Sequence, residues 1–483
     1  MYADGTYLTS YSRDYIRREK RIKTGRRVMA AAIAMCITGT AVLTSINLVT
    51  GNIIETGSTL SIKNNTVAIS CTSSHDTTTE SITFENVINK NVTDIAAMIE
   101  EARPPLVFID AGHGGEDGGC VSGKVLEKNV NLEIAKLVKA RLENSGYKVI
   151  MSREDDTFIS KEDRVEAANS AKADIYVSIH QNFSEDSKVK GMEVWYDGTD
   201  TKRDNKKLAQ LIKQQTIKTT ESVEREIREN ADFYVTGNTT MPACLIETGF
   251  LSNAAERGNL TGEEYQNKIA DGIANGIEYY FNPKTMYLTF DDGPSEENTE
   301  KVLDILKERG IKATFFLIGE NVRKYPDVAR RIVAEGHTIG IHSDSHNYDV
   351  IYKSADAFIN DFENAHKTVY EVTGVDTKLF RFPGGSINDY NKNVSADIIE
   401  KMTERGYIYY DWNASLEDAD TKKDLKVEEL IENGVTTTLG RNKIVMLAHD
   451  VVDNTSLCLN ELLDNLPEYE IKPIDEDVTP IQF

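Results

Sequence analysis

From Pro104 onwards, short strand-like apolar runs alternate with longer helix-like amphipathic ones, and the alternation starts afresh at Met286. In the first series PLVFID is followed by NVNLEIAKLVKARLENSG and then YKVIMS; in the second, MYLTF is followed by NTEKVLDILKERG and then ATFFLIG. This alternation of periods argues for α/β architecture. At 483 residues the chain exceeds the ~150 residues of an ordinary domain, and the two series define two α/β domains, 104–282 and 284–483. The first closes with the helix-like EEYQNKIADGIANGIEYYF, and only Asn282 to Thr285 separate it from the second. Domains on so short a tether are expected to lie against one another.

Ahead of them, residues 17–27 (RREKRIKTGRR) carry seven positive charges and one negative and run into the apolar stretch VMAAAIAMCITGTAVLTSINLVT at 28–50. Its 23 residues suit the ~20 needed to span a bilayer, and the basic flank places residues 1–27 in the cytoplasm. A cleaved secretory signal is the competing reading, but the basic region is long, the apolar run exceeds the usual length and no clear small-x-small site follows it. The expectation is a single-pass transmembrane helix with everything after residue 51 outside the cell. Residues 51–103, rich in Ser, Thr and Asn, read as a solvated stalk.

With 78 Asp plus Glu against 55 Lys plus Arg, a net charge of −23 and no basic patch exclude nucleic acid as a partner. The five cysteines, Cys36, Cys71, Cys120, Cys244 and Cys458, contain no CxxC pair and read as free, mostly buried thiols.

In the first domain PLVFID ends in AGHGGEDGG, which puts His113 in a glycine-rich loop at the carboxyl end of a strand, where open α/β sheets build their sites. Glu127 opens the next helix, the strand ADIYVSIH ends in His180, and PACLIE delivers Glu247. Two imidazoles and a carboxylate with a fourth position open are what a catalytic zinc needs. Taken together, DAGHGGEDGG, EKNVNLEIAKLV, SREDDTFISKEDRVEAANSAKADIYVSIHQN and PACLIETGFLSN resemble the zinc-dependent N-acetylmuramoyl-L-alanine amidases of the cell-wall hydrolase type. The resemblance implies zinc on His113, Glu127 and His180, with Glu247 as general base, in a mixed sheet flanked by helices. Gln181 departs from the family's small or apolar residue, a change expected to touch substrate preference.

In the second domain MYLTF ends in DDGPS, and two adjacent acids, Asp291 and Asp292, are costly unless a metal or cation takes one of them. HTIGIH leads into HSDSH, where His342 and His346 stand four apart, a spacing that puts both on one face of a helical turn. With RFPGGS (Arg381 to Ser386), DWN (Asp411 to Asn413) and LAHD (Leu447 to Asp450), these segments resemble the polysaccharide deacetylases of the NodB-homology type. The resemblance implies a deformed (β/α) barrel and zinc or another divalent transition metal on Asp292, His342 and His346. It further implies Asp291 as catalytic base held by Arg381, and His449 as general acid tuned by Asp411, with Trp412 and Leu447 walling the site. Gly384 departs from an aromatic residue common there, which suggests a looser loop.

Both resemblances together imply a bifunctional hydrolase of peptidoglycan at the bacterial cell surface. It would cut the amide between muramic acid and L-alanine and remove acetyl groups from GlcNAc or MurNAc, the latter a step towards muramic lactam. Two other readings are a wall-binding protein with an inactive domain and a deacetylase of another acetylated polysaccharide.

Overall fold

The computed structural model describes three strands within residues 58–83, and residues 103–419 and 425–483. The chain divides into two compact units, Met1–Pro105 and Leu106–Phe483. The apolar run at 28–50 lies outside the described residues, and among the described residues no helix is long and apolar enough to cross a membrane.

In the first unit β1 (Ser58–Lys63), β2 (Thr66–Ser73) and β3 (Asp76–Thr83) form an antiparallel sheet. An aperiodic stalk was the expectation here. The β-branched content of TVAISCTS and DTTTESIT, with Val67, Ile69 and Cys71 at every second position, supplies strand propensity that the Ser/Thr/Asn composition obscures.

The second unit holds both α/β series. The first builds a mixed sheet from β4 (Leu106–Ala111), β7 (Lys148–Met151), β8 (Ile175–Asn182), β9 (Met192–Tyr196), β10 (Glu224–Glu229) and β11 (Ala243–Phe250), the two short strands Val121–Ser122 and Val125–Leu126 (β5 and β6) forming a separate ribbon. The order is β10-β9-β11-β8-β4-β7, with β9 antiparallel to β11 and parallel to β10. Alternation along β4 sends Val107 and Ile109 to one core and Phe108 to another on the opposite face. The helix Glu127–Asn144 contributes Val130, Ile134 and Val138 to the first core, which Ile212 of Asn205–Thr220 and Ile273 of Glu263–Phe281 also enter. The last two helices pack closely through glycines: a Cβ on Gly272 would lie 2.3 Å from Thr216 Cα, and one on Gly276 2.7 Å from Ile212 Cα.

After Phe281 two residues, Asn282 and Pro283, lead into β12 (Lys284–Asp291). Around it β13 (Thr314–Ile318), β14 (Thr338–Ser343), β15 (Leu379–Phe380), β16 (Ile408–Tyr409), β17 (Ala414–Ser415), β18 (Lys443–His449) and β19 (Tyr469–Lys472) form a curled, wholly parallel sheet. The order runs β16-β15-β14-β13-β12-β18-β17, with β19 pairing β12. This is an open half-barrel. The strand β12 is buried on both faces, which explains why MYLTF reads as a continuous apolar run. The two series touch: Gln214 Nε2 donates to Asn465 O at 2.6 Å, and Lys284 Nζ lies 4.9 Å from the Tyr279 ring and 5.1 Å from the Tyr469 ring.

Two candidate metal centres

The β4 strand delivers His113 with a positive φ of 62° in a loop whose carbonyls are pinned by two buried arginines. Arg164 donates to the carbonyls of Ala111 and His113, both at 2.7 Å, and Arg153 to that of Gly112 at 3.0 Å. Both come from the segment SREDDTFISKEDRV. They hold a left-handed histidine that an isolated loop would disfavour. Gly112 is needed for a second reason, since a Cβ there would sit 2.2 Å from the His180 ring.

Around that loop the first set assembles. Glu127 Oε1 lies 3.2 Å from His113 Nε2 and 2.9 Å from His180 Nδ1, and the two rings stand 4.9 Å apart at 80°. Three ligand atoms this close together, two nitrogens and a carboxylate oxygen, are compatible with a metal ion. Asp117 Oδ2, 2.7 Å from His113 Nδ1, can only accept while ionised, which places a proton on Nδ1 and turns Nε2 towards Glu127. Burial opposes ionisation of Glu127, but His113 and His180 outweigh it and hold the carboxyl well below its usual range. Its orientation is set by the backbone N–H groups of Cys120 (2.8 Å) and Gln181 (3.0 Å).

Glu247 opposes His180 in the β8–β11 register and Glu193 in the β11–β9 register, so all three share a face of the sheet. Its Oε2 is buried and has no hydrogen-bond partner among the described residues. Burial raises its pKa to about 7, His180 opposing that rise and the negative charges of Glu127 and Glu193 adding to it. Gln181 points elsewhere. It is buried, bonded to Asn131 (3.2 Å) and Thr248 (2.7 Å), so it braces the sheet rather than meeting substrate, as the alternation of side chains along β8 requires.

The second set forms at the carboxyl ends of β12 and β14. Asp292 Oδ1 is 3.4 Å from His342 Nε2 and 3.3 Å from His346 Nε2, and although buried it has no hydrogen-bond partner among the described residues. His342 Nδ1 donates to Arg381 O at 2.9 Å, since a carbonyl accepts only, and Nε2 is the ring atom turned towards Asp292. In each set the three ligand atoms lie within 4.8 Å of one another. The HxxxH spacing is not a helical turn: His342 is the penultimate residue of β14 and His346 follows in a loop with φ 52°, Ser343 and Asp361 anchoring the backbone between them.

Asp291 stands beside this set with Arg381, which is wholly buried and donates to Asp291 Oδ1 at 2.8 Å, to Thr289 Oγ1 at 2.7 Å and to Tyr410 O at 2.8 Å. Its guanidinium lies 4.3 Å from the Phe316 ring and 5.7 Å from that of Trp412. Leu447 is buried on β18, two residues before His449.

His449 requires a correction. Asp411 does not reach it, accepting instead from Ser386 N (2.9 Å), Ser386 Oγ (2.6 Å) and Phe483 N (3.2 Å). The partner of His449 Nδ1 is Asp418 at 2.8 Å, whose other oxygen accepts from His449 N at 2.7 Å and from Thr455 Oγ1 at 2.6 Å. Burial opposes charge on His449, but the bond and charge of Asp418, with Asp291 and Asp292 beyond, outweigh it and raise its pKa to about 9. A sequence signal for Asp418 is absent, because it shares SLEDAD with Glu417 and Asp420 and follows a strand of only two residues.

The loop at Gly384 is not loose either. Its φ is 74°, a Cβ there would be 2.8 Å from the Tyr348 hydroxyl, and Asn388, Asn391 and Ser386 tie the surrounding backbone. Tyr348 takes the room that a larger residue would need. Cys120 is half-buried, Cys244 and Cys458 are buried, and all three are free thiols, while Cys36 and the side chain of Cys71 lie outside the described residues.

Comparison with known families agrees with this geometry. The N-acetylmuramoyl-L-alanine amidase family matches residues 107–279 and the polysaccharide deacetylase family residues 279–402. YqiI of Bacillus subtilis, whose function is uncharacterised, is 39% identical over 39% of this chain and 90% of its own length. A germination-specific N-acetylmuramoyl-L-alanine amidase of the same organism is 37% identical over 37% of this chain and 81% of its own. A peptidoglycan-N-acetylglucosamine deacetylase of Bacillus cereus is 31% identical over 52% of this chain and 89% of its own. The chain belongs to both families, the amidases through its first series and the polysaccharide deacetylases through its second. It is a hydrolytic enzyme with two activities.

Proposed function

We propose that both activities act on peptidoglycan, residues 104–282 cutting the amide between the muramic lactyl group and L-alanine, and residues 284–483 removing acetyl from GlcNAc. The observation that carries this is common to both sites: a triad of histidines and carboxylate fit for a metal, with one further carboxylate, Glu247 or Asp291, outside the triad. The sugar is suggested by the Bacillus cereus relative. Mass spectrometry of digested wall decides it, since acetyl loss confined to muramic acid would reject GlcNAc.

His113, Glu127 and His180 would hold a metal in the first site, and Asp292, His342 and His346 one in the second. Zinc suits the nitrogen-rich sets. Bound there, such an ion lowers the pKa of water towards ~7 and polarises a carbonyl. Glu247 then takes the proton of the attacking water and passes it to the L-alanine nitrogen as the C–N bond breaks. Its pKa near 7 sets a ceiling for the acid limb of amide cleavage, which a cation in the triad lowers. In the second site Asp291, held in place by Arg381, accepts the water's proton, and His449 donates to the departing glucosamine nitrogen, leaving acetate and a free amine. Treatment with a strong chelator should abolish both reactions and added zinc should restore them. Undiminished turnover after chelation, with metal content confirmed near zero, would reject the metal assignment.

His449 acts as an acid only while protonated, so deacetylation should fall as pH rises towards about 9, a ceiling that a cation on Asp292 lowers. Asp418→Asn removes the charge that raises this pKa and should move the alkaline limb to lower pH, towards the ordinary ~6.5 of histidine. A pH–rate profile whose alkaline limb stays in place would assign Asp418 a structural role only.

The basic segment 17–27 and apolar run 28–50 support an anchor in the cell membrane, with both sites on the wall side. Retention in the membrane pellet after an alkaline carbonate wash is expected; release of the intact chain into the supernatant would contradict it.

A further inference from the structure

The row of side chains that begins with His180 and Glu247 does not stop there. Glu193, on β9, continues it on the same face, and its side chain is only 4% exposed. It is held by Asn182 Nδ2 at 2.9 Å and by Arg225 Nε at 2.6 Å, while Arg228 Nη2 stands off at 3.6 Å. Both arginines come from the edge strand β10, three strands from His180.

Arg225 is built into place. Its side chain crosses Gly191, where φ is 114° and a Cβ would lie 2.9 Å from Arg225 Cγ; its guanidinium sits 5.5 Å from the Phe250 ring. Arg228 is not needed to satisfy Glu193. Its guanidinium lies 5.1 Å from the Trp195 ring, its side chain is 43% exposed, and among the described residues it makes no hydrogen bond. Two guanidiniums thus share one carboxylate and leave one positive charge beside the site, on a chain whose net charge is −23.

Such a pair has the donors to take a second carboxylate, and arginine engages carboxylates through paired N–H groups. Strands lie ~4.8 Å apart, so β10 is ~10 Å from the strand that bears Glu247. An extended peptide covers that distance in about three residues. We propose that Arg225 and Arg228 form a subsite for a free carboxylate on the second or third residue of the leaving peptide. Glu193 orients the pair, and the subsite makes the amidase selective for acidic over amidated peptides. The proposal rests on the amidase reading of residues 104–282.

The test compares the full chain with its Arg228→Gln variant on two synthetic muramoyl tripeptides, identical except that one has free carboxylates at its second and third residues and the other carboxamides. Arg225 is left alone because Glu193 depends on it. For the wild-type chain kcat/KM should favour the acidic peptide by about tenfold or more, the usual worth of a charge-assisted bond. In Arg228→Gln the preference should fall below about threefold through a higher KM for the acidic peptide, with kcat, the thermal midpoint and cleavage of the amidated peptide unchanged. A wild-type preference near unity would overturn the subsite, as would a preference that survives the substitution or an equal loss on both peptides. Failure of the wild-type chain to cleave either tripeptide would instead overturn the amidase reading and the subsite with it.

Discussion

Replacing Glu247 by glutamine should slow amide cleavage by about 10²- to 10⁴-fold, the range a general base contributes, and leave deacetylation at its wild-type rate. The substitution keeps the shape of the side chain and removes only its capacity to accept a proton. It should not unfold the domain. Among the described residues Glu247 Oε2 has no hydrogen-bond partner to lose, and its carboxylate is already disfavoured by burial and by Glu127 and Glu193 nearby, so a neutral amide relieves repulsion. The rate of stem-peptide release, measured beside the thermal midpoint, checks this. A variant that retains the wild-type rate would remove Glu247 from the mechanism.

Asp291→Asn should produce the reciprocal result, a loss of acetyl release by about 10²- to 10⁴-fold with amide cleavage intact. Here a structural cost accompanies the chemical one. Arg381 is wholly buried, and Asp291 is the one carboxylate among its hydrogen-bond partners in the described residues. Removing one member of a buried ion pair commonly costs about 3–5 kcal/mol, though the asparagine oxygen can still accept from Arg381. The thermal midpoint should therefore drop while the amidase half keeps its rate. Full acetyl release by a folded variant would contradict the assignment.

Much of this site was legible in the sequence because metal chemistry restricts residue type strongly. His113, Glu127 and His180 converge, as do Asp292, His342 and His346, because His180 and His342 lie near the carboxyl ends of their strands, and His113 and Asp292 just beyond theirs. Arg381 meets Asp291 for the same reason. The misreadings fall where that constraint lapses. Asp418 acts from a loop, so no period announced it, while Asp411 sat in the more conspicuous DWN and instead ties down Ser386. The expectation that Gln181 touches substrate preference overlooks that it directly follows His180 on a strand, where alternation turns it inward to Asn131 and Thr248. The three strands within residues 58–83 lay under a polar composition that hides β-branched alternation.

The most direct measurement is mass spectrometry of purified peptidoglycan after incubation with the zinc-loaded full chain. Free stem peptides and GlcNAc residues lacking their acetyl groups should appear in the same digest. Peptidoglycan recovered with every stem peptide and acetyl group in place, from a chain shown to be folded and metal-loaded, would contradict the account.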